Sequence, residues 1–229
     1  MKILYNILCV KSIIKTFADI VLPNLCFVCE AKIKTGHLCE KCVEKIEFIS
    51  PPLSKLPSQP GERLPYEKLI CITSYKEPMV NLIHLFKYQN YSYLSGTFAS
   101  LMIKHLQKTG FVLSGYDIIA PVPMHKAKLR ERGYNQSELL ARIIAKHFNI
   151  SFKNDIIIVK SIRPSQAKLN SRERKENLKN LFEARGNLEG KNIILIDDIF
   201  TTGQTAKECA YALKAKGARV SVLTLSKTQ

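Results

Sequence analysis

Two adjacent carboxylates, Asp197 and Asp198, followed by Thr201, Thr202, Gly203, Gln204 and Thr205, are the residues of this 229-residue chain whose types and spacing specify chemistry most closely. The apolar run 193–196 ahead of them reads as a buried strand ending at Asp197, and the segment after them as a turn entering a helix. At a helix N-terminus the unpaired N–H groups and the dipole favour an anion. Threonine hydroxyls add donors, and a glycine lets the backbone come close. Two carboxylates in contact with that anion would repel it. Set a few ångströms away, they accept hydrogen bonds from a vicinal diol, as an acid does from ribose in dinucleotide folds. The segment therefore predicts a ribose 5-phosphate site, against the plainer alternative of a βα turn with solvated acids and threonine caps. No GxGxxG is present, and GNLEGKN at residues 186–192 lacks the spacing and the hydroxyl of a P-loop.

A second chemistry belongs to thiols. Cys26 and Cys29 form one CxxC, Cys39 and Cys42 another, with nine residues between the pairs. Thiolates three positions apart in a tight turn reach one metal together, and two such turns complete a closed tetrahedral Zn²⁺ site. Disulfides are the alternative, opposed by the cytoplasmic location expected for the chain. His37 reads as a polar loop residue, with a ligand role as the alternative. Cys9, Cys71 and Cys209 stand singly among apolar neighbours and read as small core residues.

A third group is cationic. After an expected strand at 117–122 come His125, Lys126, Arg130 and Arg132 in a turn placed to hold a pyrophosphate, with Asn135 capping the helix that follows. A solvated basic loop is the alternative. The polar segment 163–186 carries Gln166, Arg172, Arg174, Lys175 and Asn177 and reads as a lid over the site. Phe86, Lys87, Tyr88, Tyr91 and Tyr93 interleave rings with a cation. That pattern suits single-stranded nucleic acid as well as it suits aromatics packing a helix end.

The elements that must position these residues alternate. Strands are expected at 69–74, 117–122, 156–159, 192–197 and 219–225, and helices at 79–87, 93–107, 135–148 and 204–216, with Gly217 as a helix stop. This predicts a doubly wound, mostly parallel α/β sheet with ligands beyond the strand C-terminal ends. Five of the ten prolines fall in 49–66, which reads as a linker between residues 1–48, a helix plus the four-cysteine module, and a domain at 67–229. Residues 1–23 fit an amphipathic packing helix better than a signal peptide, with weak peripheral affinity for the inner membrane as the minor reading. The formal charge of +16 exceeds what one pyrophosphate pocket needs. Residues 123–180 alone hold 14 Lys/Arg against 5 Asp/Glu, so an extended polyanion is expected.

Taken in order, the double CxxC, LFKY at 85–88, PVP at 121–123, RGYNQ at 132–136, the basic lid and LIDDIFTTGQT resemble the ComF family over nearly the whole chain. The resemblance implies a type I phosphoribosyltransferase-like domain fused to a zinc-binding module. It implies a pocket for phosphoribosyl pyrophosphate (PRPP) with Mg²⁺, formed by Asp197, Asp198, Thr201, Thr202, Gly203, Gln204, Thr205, His125, Lys126 and Arg132, with the two acids in the catalytic position if transfer occurs. Gln204 departs from the Gly or Ala common there. The resemblance further implies natural transformation, with single-stranded DNA and an ATP-dependent DNA translocase as partners and Lys87, Tyr88, Arg172, Arg174 and Lys175 as DNA contacts. A metabolic phosphoribosyltransferase with an unidentified acceptor is the alternative.

Overall fold

The computed structural model describes residues 24–51, 64–160 and 181–228. The chain divides into two compact units, Met1–Lys45 and Ile46–Gln229. The expected helix at 1–23 and Cys9 lie outside the described residues, as do 52–63 and most of the lid, including Arg172, Arg174 and Lys175.

In the first unit, Leu25 and Lys32 form an antiparallel bridge around a turn in which Glu30 has φ +58°. A short helix, α1 (Glu40–Glu44), follows with Cys39 at its N-cap. The turn and the helix start bring both cysteine pairs together.

The second unit is built on five parallel strands. They are β1 (Lys68–Ser74), β2 (Ile118–Pro121), β3 (Ser151–Phe152), β6 (Asn192–Phe200) and β7 (Arg219–Lys227), in the spatial order β1-β7-β6-β2-β3. The apolar runs of β1, β6 and β7 are buried on both faces, as central parallel strands require. Helices α2 (Met79–Tyr88), α3 (Leu94–Lys108) and α5 (Gln136–Phe148) match the expected spans within a residue or two. On one face of the sheet, Leu69, Cys71, Ile193, Leu195, Val220 and Val222 form a core with Ala206, Cys209, Ala210 and Leu213 of α6 (Gln204–Lys214). Cys71 and Cys209 are fully buried there, as small core residues.

Three local expectations need correction. Strand β6 does not stop at Asp197: it stays paired with β7 to Phe200, where Phe200 sits opposite Lys227. The basic stretch after β2 is not a loop but a helix, α4 (Lys126–Arg132), capped by His125 Nδ1 accepting from the Ala127 N–H at 3.2 Å and ended by left-handed Gly133. The distal part of the expected lid is a strand, β5 (Phe182–Ala184), antiparallel to β4 (Ile157–Val159) and packed on the α6 face. The two compact units divide after Lys45. Residues 46–49 pair along the open edge of β1, with the Ile49 N–H on the Ile72 carbonyl at 2.9 Å and the Ser74 N–H on the Glu47 carbonyl at 2.9 Å. Covering an edge that would otherwise recruit foreign strands is reason enough for this segment to fold with the sheet.

The strand order fixes where a ligand can go. From β2 the chain moves outward to β3, and from β6 it moves the opposite way to β7. The crevice therefore opens between the C-terminal ends of β2 and β6, the switch point of a doubly wound sheet.

Candidate functional site

At that crevice lies a pocket of about 600 Å³. Its floor is the end of β6. Asp197 Oδ1 accepts from Ser137 Oγ at 3.0 Å and from the Asp198 N–H at 2.9 Å. Asp198 is 7% exposed; its Oδ1 accepts from the Ile199 N–H at 2.7 Å and its Oδ2 pairs with Lys87 Nζ at 3.0 Å. Burial and the neighbouring Asp198 charge push the Asp197 carboxyl up to about 7, although the Asp198 N–H, the Ser137 hydroxyl and Lys87 act the other way. One acid is thus neutralised by a partly buried lysine and the other holds a proton through mildly acidic pH.

The wall after β2 is cationic. His125, Lys128 and Arg132 line the pocket. Because α4 is a helix, these residues, three and four apart in turn, share one face, while Lys126 and Arg130 project elsewhere. The helical period is what a loop reading of 123–136 missed, and it exchanges Lys126 for Lys128. Val159 of β4, Phe182 of β5 and the adjacent Leu181 supply an apolar side.

The turn after β6 supplies the third wall. Gly203 has φ +72°, and a Cβ there would lie 2.3 Å from Phe200 Cζ, so only glycine fits. Gly203 caps α6 without a side chain to occupy the first-turn N–H groups, and the Thr202 hydroxyl accepts from the Gln204 N–H at 3.4 Å. Gln204 turns away to donate to Glu208 at 2.9 Å. Of the expected threonines, Thr205 lines the pocket, while Thr201 and Thr202 are exposed and do not line it.

The RGYNQ residues act as a brace. The Tyr134 hydroxyl and the Gln136 amide both donate to the Phe86 carbonyl, at 2.5 and 3.3 Å, and Arg132 donates to Gln136 at 2.8 Å. Asn135 donates to the Val122 carbonyl at 2.9 Å while capping the Ser137 N–H at 3.1 Å. These bonds hold Phe86 beside α5, and Lys87 then reaches Asp198. Lys87 and Tyr88, expected as DNA contacts, both line this pocket; Tyr88 remains 65% exposed, with the Arg132 guanidinium 5.2 Å from its ring centre.

In the first unit the sulfur atoms of Cys26, Cys29, Cys39 and Cys42 all lie within 4.8 Å of one another. Cys29 and Cys39 are 3.7 Å apart. The edge of a tetrahedron with Zn–S bonds of about 2.3 Å is about 3.8 Å, so the donor set fits zinc. Burial alone would raise the Cys26 thiol, but the N–H groups of Cys39, Val28 and Cys29 outweigh it and bring it down to about 6, whereas burial and the neighbouring thiols push Cys42 up to about 12, so within the cluster the first thiolate forms on Cys26. His37 stacks on Phe27 at 5.4 Å, and the four thiols complete the set without it.

Comparison with known proteins agrees with both halves. Residues 135–227 match the Phosphoribosyl transferase domain, and residues 17–72 match the Double zinc ribbon domain. DNA utilization protein YhgH of Escherichia coli (strain K12) is 27% identical over 90% of this chain and 98% of its own. Competence protein F of Haemophilus influenzae is 29% identical over 85% of this chain and 86% of its own. Competence protein ComFC of Bacillus subtilis is 27% identical over 88% and 83%. The sheet order, the site after β6 and the thiol cluster define a type I phosphoribosyltransferase-fold domain carried with a zinc ribbon. Over most of its length the chain is similar to these competence and DNA-utilization proteins.

Proposed function

We propose that the pocket between β2 and β6 binds PRPP with Mg²⁺, and that the protein serves natural transformation by handling single-stranded DNA as it crosses the inner membrane. The observation that carries the first half is the convergence of the Asp197–Asp198 pair, Thr205 in the first turn of α6, and the cations Lys87, Lys128 and Arg132 on one pocket. The acids accept from ribose hydroxyls, the α6 turn takes the 5-phosphate, and the α4 cations face the pyrophosphate. Mg²⁺, held through Asp197 and Asp198, would neutralise charge on the pyrophosphate.

The second half is supported by the names of the relatives and by the net charge of +16. The protein acts in the cytoplasm on this reading, with peripheral contact at the inner membrane and an ATP-dependent DNA translocase as partner. No helix among the described residues is long and apolar enough to cross a membrane. The second reading is a metabolic transferase. It is favoured by a carboxyl at about 7 facing the apolar side made by Val159, Leu181 and Phe182, a setting for proton transfer to a bound acceptor.

The test is calorimetric titration with Mg²⁺-PRPP beside an anisotropy titration with labelled single strands. Thr202→Ala and Asp197→Asn should each weaken PRPP by about 1–3 kcal/mol. Unchanged affinity in both variants would remove the PRPP assignment. Absence of strand binding at low salt, together with pyrophosphate release on adding one nucleobase, would put the transferase first.

A further inference from the structure

We propose that a second groove, beside the PRPP pocket and sharing a wall with it, binds one stretch of single-stranded nucleic acid, and that PRPP and the strand oppose each other across that wall. The inference rests on the reading of a single strand as partner and deepens it by naming where the strand lies. The groove has a volume of about 370 Å³ and is bounded by Lys87, Tyr88, Asn90, Arg130, Arg132 and Gly133. Among its charged residues, Lys87, Arg130 and Arg132 face one acid, Glu131, so its field favours an anion.

Its form suits an unpaired base. Tyr88 is 65% exposed, the Arg132 guanidinium lies 5.2 Å from its ring centre and the His84 ring 4.9 Å away. Arg132 is held in place by its bond to Gln136. A ring and a guanidinium plane held together and open to solvent form a platform on which a base stacks, with a cation at hand for the adjoining phosphate. Farther along the chain, Tyr91 and Tyr93 pack 5.3 Å apart, with Tyr93 49% exposed. A duplex hides its base faces and cannot use this platform.

The two cavities have Lys87, Tyr88 and Arg132 in common. Lys87 is already committed to Asp198, with its side chain 18% exposed. A pyrophosphate in the pocket and a phosphodiester in the groove would draw on the same cations from opposite sides and repel each other through them. Occupancy of one site therefore weakens the other, and linkage makes the effect equal in both directions.

The experiment uses the full chain, a labelled dT12 strand read by anisotropy, and Mg²⁺-PRPP read by calorimetry. Arg130 lines the groove and not the pocket. Arg130→Gln should therefore weaken dT12 by about threefold or more and PRPP by less than that, and Tyr88→Ala should lower dT12 affinity by about five- to hundredfold. An abasic strand of the same length should bind the wild type more weakly than dT12. Saturating PRPP should weaken dT12 by about fivefold or more, and dT12 should weaken PRPP equally. Wild-type binding of dT12 that neither variant alters would overturn the groove while leaving the DNA reading intact. Equal binding of the abasic strand would overturn the stacking platform, absence of any dT12 binding would overturn both readings, and PRPP that leaves or strengthens strand affinity would overturn the coupling.

Discussion

Asp197→Asn is expected to stabilise the ligand-free protein while impairing it. The amide keeps an oxygen for the Ser137 hydroxyl and the Asp198 N–H, bonds of 3.0 and 2.9 Å, and removes only the charge. In the folded protein the carboxyl titrates at about 7, against an ordinary value of 3.8, because burial and the Asp198 charge penalise ionisation. Raising the carboxyl from 3.8 to about 7, at about 1.4 kcal/mol per tenfold change in proton affinity, gives a ceiling of about 4 kcal/mol. The side chain is only partly shielded from solvent and the shift is shared with Asp198, so about 1–2 kcal/mol is expected. The sign follows from which state binds the proton. Below pH 4 both states are protonated and the charge contributes nothing. Between about pH 4 and 7 the unfolded chain has lost its proton while the folded chain keeps it, so wild-type stability falls as pH rises. Above about 7 the full penalty applies. Urea midpoints of variant and wild type should therefore nearly coincide at pH 4 and separate progressively to pH 8, with the variant the more stable. An equal difference at pH 5 and pH 8, or a less stable variant at pH 8, would refute the reasoning.

Three further outcomes are expected. Gly203→Ala forces a left-handed φ on a residue whose Cβ would sit 2.3 Å from the Phe200 ring, which should cost about 2–3 kcal/mol in denaturant unfolding and abolish PRPP binding by calorimetry. Asn135→Ala removes the cap on α5 and the bond to the Val122 carbonyl; about 2 kcal/mol of stability should be lost, together with ordering of Ser137 against Asp197, visible as weaker PRPP binding. Elemental analysis of reduced protein should find one zinc per chain, and Cys26→Ser with Cys39→Ser should release it, since two thiols cannot close the tetrahedron.

Chemistry confined to a few consecutive residues was legible without coordinates. Two CxxC spacings predicted one thiol cluster because each pair is set by its own turn. The run of apolar residues, acids, threonines and glycine from 193 to 205 predicted a strand, a turn and a helix start because each preference is local. Even so, the end of β6 was misjudged by three residues. Pairing with β7 holds the acids inside the strand against the usual preference of aspartate for turns. The α4 helix was obscured because its apolar content is too low to show a period: none of its residues is buried, and its face is set by the pocket instead of by a core.

What tertiary structure alone decided is which charges meet. Ser137 reaches Asp197 across 60 residues of sequence, and Gln136 reaches the Phe86 carbonyl across 50. Lys87 joins Asp198 because that brace fixes the end of α2 beside α5. No propensity or spacing encodes such contacts: they exist because the order β1-β7-β6-β2-β3 places the ends of β2 and β6 side by side, and a sheet order is chosen by the packing of whole elements on both faces. The sequence by itself determined the kinds of groups the protein brings to its sites; the sheet decided that a lysine distant in the chain neutralises one acid of the pair and leaves the other near a pKa of 7.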